Sequence, residues 1–215
     1  SEGFDANLAI YNLLTRGYSR SYNVQKAFEV CRTMLDAGIE PNEFTYNALI
    51  SLFAEKSDPI GATMLFNEMK KFNLPSNVFT YTSLVKAHAW TSDIRGAEKI
   101  MRNMRIAGVE PNAPTYNIIM NAYSKNRDFE TCQLIFQEMI RLNVQPNNHT
   151  YSCLMEGFCR LGNMQVAESI LTKLKTTTDT KPDVFHYTVL MNAHVKHKNL
   201  LRTFELYEEM IKEKN

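Results

Sequence analysis

A tyrosine recurs along the chain at a nearly fixed interval, and this interval limits the possible folds more than any other feature. The successive spacings are 35, 35, 35, 35 and 36 residues. A Pro–Asn or Pro–Asp pair before most of the units and a methionine near the end of most of them keep the same phase. Self-similarity with a period of about 20–50 residues is typical of repeat architectures. The tyrosines are Tyr11, Tyr46, Tyr81, Tyr116, Tyr151 and Tyr187.

Each unit has the pattern of two amphipathic helices. In the second unit, Thr45 follows a Pro–Asn turn and is predicted to cap the first helix. Apolar residues then recur every three or four positions over 46–53 and again over 62–69, and the segment 55–59 separates the two runs. Since one hairpin alone cannot bury its apolar faces, the pattern predicts an all-α solenoid of stacked helix-turn-helix hairpins.

The markers divide the chain into six repeats that together form one continuous solenoid domain. The fifth repeat contains one extra residue, in the polar stretch 175–181. The predicted segments are 1–7 (the end of a preceding repeat or a cap), 8–42, 43–77, 78–112, 113–147, 148–183 and an incomplete sixth repeat at 184–215.

Composition argues against several functional classes. The formal net charge is +1, so binding of nucleic acid by bulk charge alone is not expected. The sequence has no phosphate-binding loop, no metal-ligand spacing and no catalytic constellation. It is therefore predicted to be a binding protein without a cofactor or metal, not an enzyme.

No apolar run approaches the roughly 18 residues that a membrane span needs. The four cysteines are predicted to be buried small hydrophobes.

Two stretches identify the kind of repeat. Residues 40–50 (EPNEFTYNALI) and 66–70 (FNEMK) closely resemble the consensus of the 35-residue, P-type pentatricopeptide repeat. By contrast, no unit has the glycine that the first helix of a tetratricopeptide repeat requires. The resemblance covers nearly the whole chain, and it implies a right-handed superhelix that binds single-stranded RNA.

The resemblance also implies which residues read bases. In this family each repeat reads one base, through the residue after the tyrosine and the last residue of the repeat. An ionised Asp only accepts hydrogen bonds and suits G or U, whereas Asn can also donate and suits A or C. The family's rules add that Thr or Ser at the first position favours purines and Asn favours pyrimidines. The pairs are Asn12 with Asn42, Asn47 with Asn77, Thr82 with Asn112, Asn117 with Asn147 and Ser152 with Asp183, followed by Thr188.

These pairs predict the site 5′-(C/U)(C/U)A(C/U)G(purine)-3′. An alternative interpretation is that the Asn and Thr residues are ordinary turn and capping residues. Five pairs and Thr188, in register over six repeats with no apolar substitution, favour readout over capping alone.

Two further positions suit a single strand. The second residues of the repeats are predicted to sandwich the bases, although the phenylalanines among them could instead pack between repeats. The predicted sandwich residues are Phe44, Phe79, Pro114, His149 and Phe185. Basic residues near the ends of the first helices are predicted to contact phosphates, although cations there would also stabilise helix C-termini. They are Arg20, Lys56, Lys125, Arg160 and Lys196.

The resemblance predicts a role in organellar RNA processing, stability, splicing or translation. The predicted compartment is the mitochondrial matrix, with the plastid as the alternative. Two other functions fit the repeats. The protein could be a structural subunit of a mitochondrial ribosome or another organellar ribonucleoprotein that contacts rRNA and proteins, or it could be a protein-binding scaffold.

Overall fold

The computed structural model describes residues 7–176 and 181–214, and over these ranges the chain forms twelve helices and no strand. The predicted all-α class is confirmed. Residues 1–6 and most of the polar stretch 175–181 lie outside the described residues. The helices are α1 Leu8–Arg20, α2 Val24–Asp36, α3 Glu43–Glu55, α4 Pro59–Lys71, α5 Val78–Trp90, α6 Ile94–Ile106, α7 Ala113–Lys125, α8 Phe129–Arg141, α9 Asn148–Arg160, α10 Met164–Thr176, α11 Val184–Lys196 and α12 Leu200–Lys214.

The turns between helices repeat as regularly as the helices do. One residue with φ between 54° and 77° ends each of ten helices, and it reverses the chain within two or three residues. After α2, for example, the N–H of Gly38 donates to the carbonyl of Leu35 and the N–H of Ile39 to that of Met34, which satisfies helix-end carbonyls. The residues are Tyr22, Ser57, Ser92, Arg127, Gly162 and Lys198 inside hairpins, and Gly38, Asn73, Gly108 and Asn143 between them.

The first helix of the second repeat begins earlier than the sequence predicts. Its cap is Asn42, whose Oδ1 accepts hydrogen bonds from the N–H groups of Phe44 and Thr45. Thr45 is the third helical residue, so the prediction that it caps the helix is wrong. Its hydroxyl instead accepts a hydrogen bond from the backbone N–H of Asn42 at 3.3 Å, and the pair forms a capping box.

The chain folds into two compact units, residues 1–111 and 112–215. In the first unit α1, α3 and α5 pack side by side, and each also packs against the second helix of its own hairpin. Alanines at one position of α2, α4 and α6 allow this close packing because they have no exposed surface. They are Ala27, Ala62 and Ala97. The buried methionines of the same helices lie seven residues, or about two helical turns, further along; they are Met34, Met69 and Met104.

The second unit repeats this arrangement with α7, α9 and α11 side by side. Of its three repeat tyrosines, Tyr116 and Tyr187 are 0% and 2% exposed and belong to the core, whereas Tyr151 is half-buried. Met139 and Leu174 occupy the positions equivalent to the methionines of the first unit and are buried as well. The apolar markers of the repeat therefore form most of the core, whereas the polar positions after the tyrosines range from buried (Asn47, Ser152) to half-buried (Asn12, Thr82).

Candidate nucleic-acid interface

A groove of about 700 Å³ lies along α1, α3 and the start of α5 in the first unit. We call it the unit-1 groove. Six residues that the sequence predicts to contact RNA line it together. They are Asn12, Asn47 and Asn77 among the readout residues, Phe44 and Phe79 among the sandwich residues, and Arg20 among the phosphate contacts.

The last residues of the repeats all cap the helix that follows them. The Oδ1 atom of each accepts from the N–H of the third helical residue, at distances of 3.1–3.2 Å. The capping alternative is therefore correct for these positions, but it uses only one end of each asparagine side chain. The Nδ2 amino group points the other way and is a pure donor. The capping residues are Asn42, Asn77, Asn112, Asn147 and Asp183.

The asparagines after the tyrosines are held by the next repeat. In the first repeat, Asn12 Oδ1 accepts the hydroxyl proton of Thr45 at 2.6 Å, and Asn12 Nδ2 donates to Asn42 Oδ1 at 3.3 Å. The two predicted readout residues of the first repeat thus meet, although they are 30 positions apart in the sequence. The structure brings Asn117 and Asn147 together in the same way, at 2.9 Å.

The junction between the fifth and sixth repeats differs chemically. Asp183 caps α11 through Oδ1, while its Oδ2 accepts from Asn148 Nδ2 at 3.2 Å. The buried ring of His186 replaces the usual threonine, with Nδ1 2.7 Å from Asp183 Oδ1 and Nε2 3.1 Å from the carbonyl of Asn148. Burial alone would raise the pKa of the Asp183 carboxyl. The adjacent His186 ring and the N–H groups of His186 and Phe185 outweigh burial, so this pKa lies below its ordinary value.

The remaining readout residues lie on first helices with different exposures. Ser152 is buried, its hydroxyl donates to the carbonyl of Asn148 in its own helix, and it is not among the residues that line the groove along α9 and α11. The half-buried Thr188 likewise donates to the carbonyl of Val184 at 2.7 Å. Thr82 is half-buried on α5.

The predicted sandwich residues are all exposed. Phe44, Phe79 and Phe185 expose 63%, 54% and 56% of their surface, and Pro114 and His149 are exposed as well. Their exposure argues against the alternative that the phenylalanines serve mainly as packing between repeats. An exposed aromatic face can stack on a base, since every base has a π-face.

The predicted phosphate contacts are exposed but have different surroundings. Arg20, Arg160 and Lys196 line grooves, and Arg160 also forms an ion pair with Glu156 in the same helix. Lys56 lies with its Nζ 5.8 Å from the ring centroid of Tyr22, and Lys125 is exposed at the end of α7.

Glu55 lies on α3 at the position equivalent to Arg20 of α1 and Lys125 of α7, and it is acidic. Lys86 Nζ lies 2.5 Å from Glu55 Oε1 and 4.1 Å from the ring centroid of Trp90. The lysine balances the carboxylate, so the rim of the unit-1 groove has no isolated negative charge at this point.

A second groove, of about 730 Å³, lies in the second unit along α9 and α11. We call it the unit-2 groove. It joins Arg160, Phe185, Thr188 and Lys196, which are predicted contacts from two repeats. Lys56, Lys125, Pro114, His149, Asn117 and Asn147 line neither of the two grooves.

Sequence reasoning missed several groove residues. Arg16 and Tyr22 line the unit-1 groove, and Arg127, Asn192 and His197 line the unit-2 groove. Arg16 and Asn192 lie one helical turn beyond the readout position of their helices, and this spacing could have identified them. Arg127 and Tyr22 belong to the tight turns, where helical periodicity gives no signal.

Other kinds of site find no support in the part of the chain that the structure describes. Within 7–176 and 181–214, no group of three or more His, Cys, Asp or Glu side chains could hold a metal ion. None of the described helices combines the length and apolar character that crossing a membrane requires. Burial raises the pKa of the thiols of Cys132, Cys153 and Cys159 to about 12, 11 and 11, so they are structural rather than nucleophilic.

Comparison with known families gives a consistent result along the chain. The PPR repeat family matches residues 6–55 and 111–160, the pentatricopeptide repeat domain matches 64–126, and the PPR repeat matches 44–74, 149–176 and 185–215. A chloroplastic pentatricopeptide repeat-containing protein of Arabidopsis thaliana is 39% identical over 69 residues, which are 32% of this chain and 9% of that protein. The chain therefore spans only about a tenth of this relative's length.

Solved structures share the fold. The maize protein PPR10 in complex with an 18-nucleotide psaJ RNA element aligns with a TM-score of 0.63 at 22% identity, over 98% of this chain and 36% of that one. The repeat domain of Arabidopsis thaliana protein-only RNase P 1, in complex with tRNA, aligns with a TM-score of 0.69 at 14% identity. That alignment covers 86% of this chain and 97% of the domain.

Proposed function

Because the chain belongs to the pentatricopeptide-repeat family, we propose that it binds single-stranded RNA sequence-selectively, one base per repeat. The observation that supports this most directly is the composition of the unit-1 groove. It combines donor amides (Asn12, Asn47, Asn77), exposed aromatic faces (Phe44, Phe79) and arginines (Arg16, Arg20) along one strand-sized channel.

Each class of side chain has a separate task in this proposal. The aromatic faces stack on bases regardless of sequence, and the arginines neutralise phosphates without reading bases. Within the unit-1 groove only the amides meet base edges, so they read the bases bound there. With a net charge of +1, the protein has little bulk attraction for RNA, and its affinity depends on these local contacts.

The proposed site remains 5′-(C/U)(C/U)A(C/U)G(purine)-3′. The asparagines of the first, second and fourth repeats have their Oδ1 atoms engaged by threonine hydroxyls. Their amino groups are therefore the ends that a base would meet. Acceptors make up most of the Watson–Crick edge of C (N3 and O2) and of U (O4 and O2), so outward donors agree with the pyrimidines that the family's rule for Asn gives at these three positions.

The binding test compares fluorescein-labelled RNAs that contain this site with RNAs in which its bases are shuffled. We expect tighter binding of the cognate RNA at moderate salt, measured by gel shift or fluorescence anisotropy. Equal affinity for both RNAs would contradict sequence-selective binding. Absence of RNA binding at moderate salt would favour the protein-scaffold alternative.

We also propose that the protein acts in organellar gene expression, in the mitochondrion or, like its Arabidopsis relative, in a plastid. Imaging of the tagged full-length protein tests the compartment. Co-sedimentation with ribosomal subunits, together with little affinity for short free RNA, would favour the structural role in a mitochondrial ribosome instead.

A further inference from the structure

Three buried threonines connect consecutive repeats through the predicted readout asparagines. Thr45, Thr80 and Thr150 are the third residues of their helices, and none has exposed surface. Each donates its hydroxyl proton to the asparagine of the preceding repeat. The distances are 2.6 Å from Thr45 to Asn12, 2.6 Å from Thr80 to Asn47 and 2.7 Å from Thr150 to Asn117.

Each hydroxyl has a second partner that fixes its direction. The backbone N–H of the capping asparagine donates to the threonine Oγ1, at 3.1 Å for Asn77 with Thr80 and for Asn147 with Thr150. The hydroxyl has only one proton to give. The readout Oδ1 is the nearer acceptor, since the Oδ1 atoms of the capping asparagines lie 3.2–3.3 Å away.

This contact decides which end of the asparagine side chain faces the RNA. The oxygen and nitrogen ends of an amide have nearly the same shape, so hydrogen-bond partners determine its orientation. A hydroxyl that donates to Oδ1 turns the oxygen inward and the amino group outward. In the fourth repeat, Asn117 Nδ2 also donates to Asn147 Oδ1, which uses one of its two N–H groups and leaves the other for a ligand.

An amino group that cannot turn over discriminates between bases. Two of the three groups on the Watson–Crick edge are acceptors in cytosine (N3 and O2) and in uracil (O4 and O2). In guanine two of the three are donors (N1–H and the 2-amino group) and only O6 accepts, so an outward amino group favours the pyrimidines. We infer that Thr45, Thr80 and Thr150 are specificity-determining positioning residues, so that the pyrimidine preference of one repeat is set in part by the third residue of the next. This inference rests on the proposed RNA-binding function.

The fifth repeat shows the contrasting case. His186 replaces the threonine, and the readout residue before it is Ser152, which bonds to its own helix. The readout position before this junction holds no asparagine, and the amide that is present, that of Asn148, donates to Asp183 Oδ2. The repeat offers the carboxylate of Asp183, in line with its different predicted base.

The test measures base preference at two positions in the full chain. Thr80→Val and Thr150→Val remove one hydroxyl each with little change in volume, and Thr80→Ser and Thr150→Ser retain it. Fluorescence anisotropy gives Kd values for RNAs with C, U, A or G at the second or the fourth base. We expect Thr80→Val to lose about fivefold or more of its C-over-G preference at the second base only, since one hydrogen bond is worth about that factor.

Thr150→Val should lose the preference at the fourth base only, so each variant is the control for the other. The serine variants should keep both preferences. Melting temperatures are recorded for all four because the hydroxyls also belong to capping boxes. Should Thr80→Val not fold, Thr150→Val tests the same inference in the other unit.

The outcomes separate the inference from the proposed function. Valine variants that weaken all RNAs equally, or keep the wild-type preferences, would show a purely structural role and overturn the inference while RNA binding stands. A wild-type protein that binds none of the RNAs would refute the proposed function, and the inference would fall with it.

Discussion

Replacing Phe79 with alanine tests whether the exposed aromatic residues hold RNA bases. Phe79 exposes 54% of its surface and lines the unit-1 groove with Phe44. Stacking on an aromatic ring contributes about 1–3 kcal/mol per base. Because about 1.4 kcal/mol is a factor of ten, Phe79→Ala should weaken RNA binding about fivefold or more.

The same substitution should cost little folding stability. Truncation of a fully buried Phe costs about 3–5 kcal/mol, and a ring that is half exposed should lose roughly half of that or less. The matched control is Phe66→Ala in the same unit, because Phe66 is 5% exposed and its ring centroid lies 5.3 Å from that of Tyr81. Phe66→Ala should lose about 3–5 kcal/mol of folding stability, as expected for a buried ring. The folded fraction of that variant should bind RNA with the wild-type Kd.

Anisotropy titrations and urea unfolding of both variants, with Phe79→Tyr as the variant that keeps a ring, distinguish the two roles. We expect Phe79→Tyr to bind RNA nearly as tightly as the wild type. The reasoning is refuted if Phe79→Ala leaves the Kd unchanged and destabilises the protein as much as Phe66→Ala does.

Three other outcomes are expected. Asp183→Asn should shift the fifth base from G towards A in a gel-shift panel, and an unchanged preference would contradict the base assignment. Its melting temperature should fall, because the amide can still cap α11 but the carboxylate beside His186 and Asn148 Nδ2 is lost. Arg20→Ala and Lys196→Ala should each reduce the slope of log K against log salt by about one, with base preference unchanged. Cys159, whose pKa burial raises to about 11, should react with iodoacetamide at pH 8 only after unfolding, because almost no thiolate forms at a pH far below that pKa. Mass spectrometry measures the labelling, and labelling of the folded protein would contradict this expectation.

Much of the fold could be predicted because the repeat is strict. A tyrosine every 35 residues, flanked by apolar residues at helical spacing, leaves few alternatives to stacked hairpins. The same phase locates polar residues such as Asn47 at equivalent positions of successive helices. The side chains of Asn12, Asn47 and Phe44, which the sequence predicts to contact RNA, line one groove.

The local hydrogen bonding could not be predicted in the same way. Asn42 and Thr45 are both good capping residues, and only the backbone shows that the helix begins after the first of them. The hydroxyl of Thr80 reaches an amide 33 residues earlier. That contact depends on the separation of stacked helices, which sequence periodicity does not report.

The threonine contact also changes what counts as a transferable repeat. A segment cut at the helix boundaries, such as 43–77, would contain Asn47 and Asn77 but would leave Thr80 behind. A segment from 46 to 80 has the same length and contains both amides together with the hydroxyl that orients one of them. Recombination or protein engineering that preserves base preference should therefore join repeats after the third residue of the first helix.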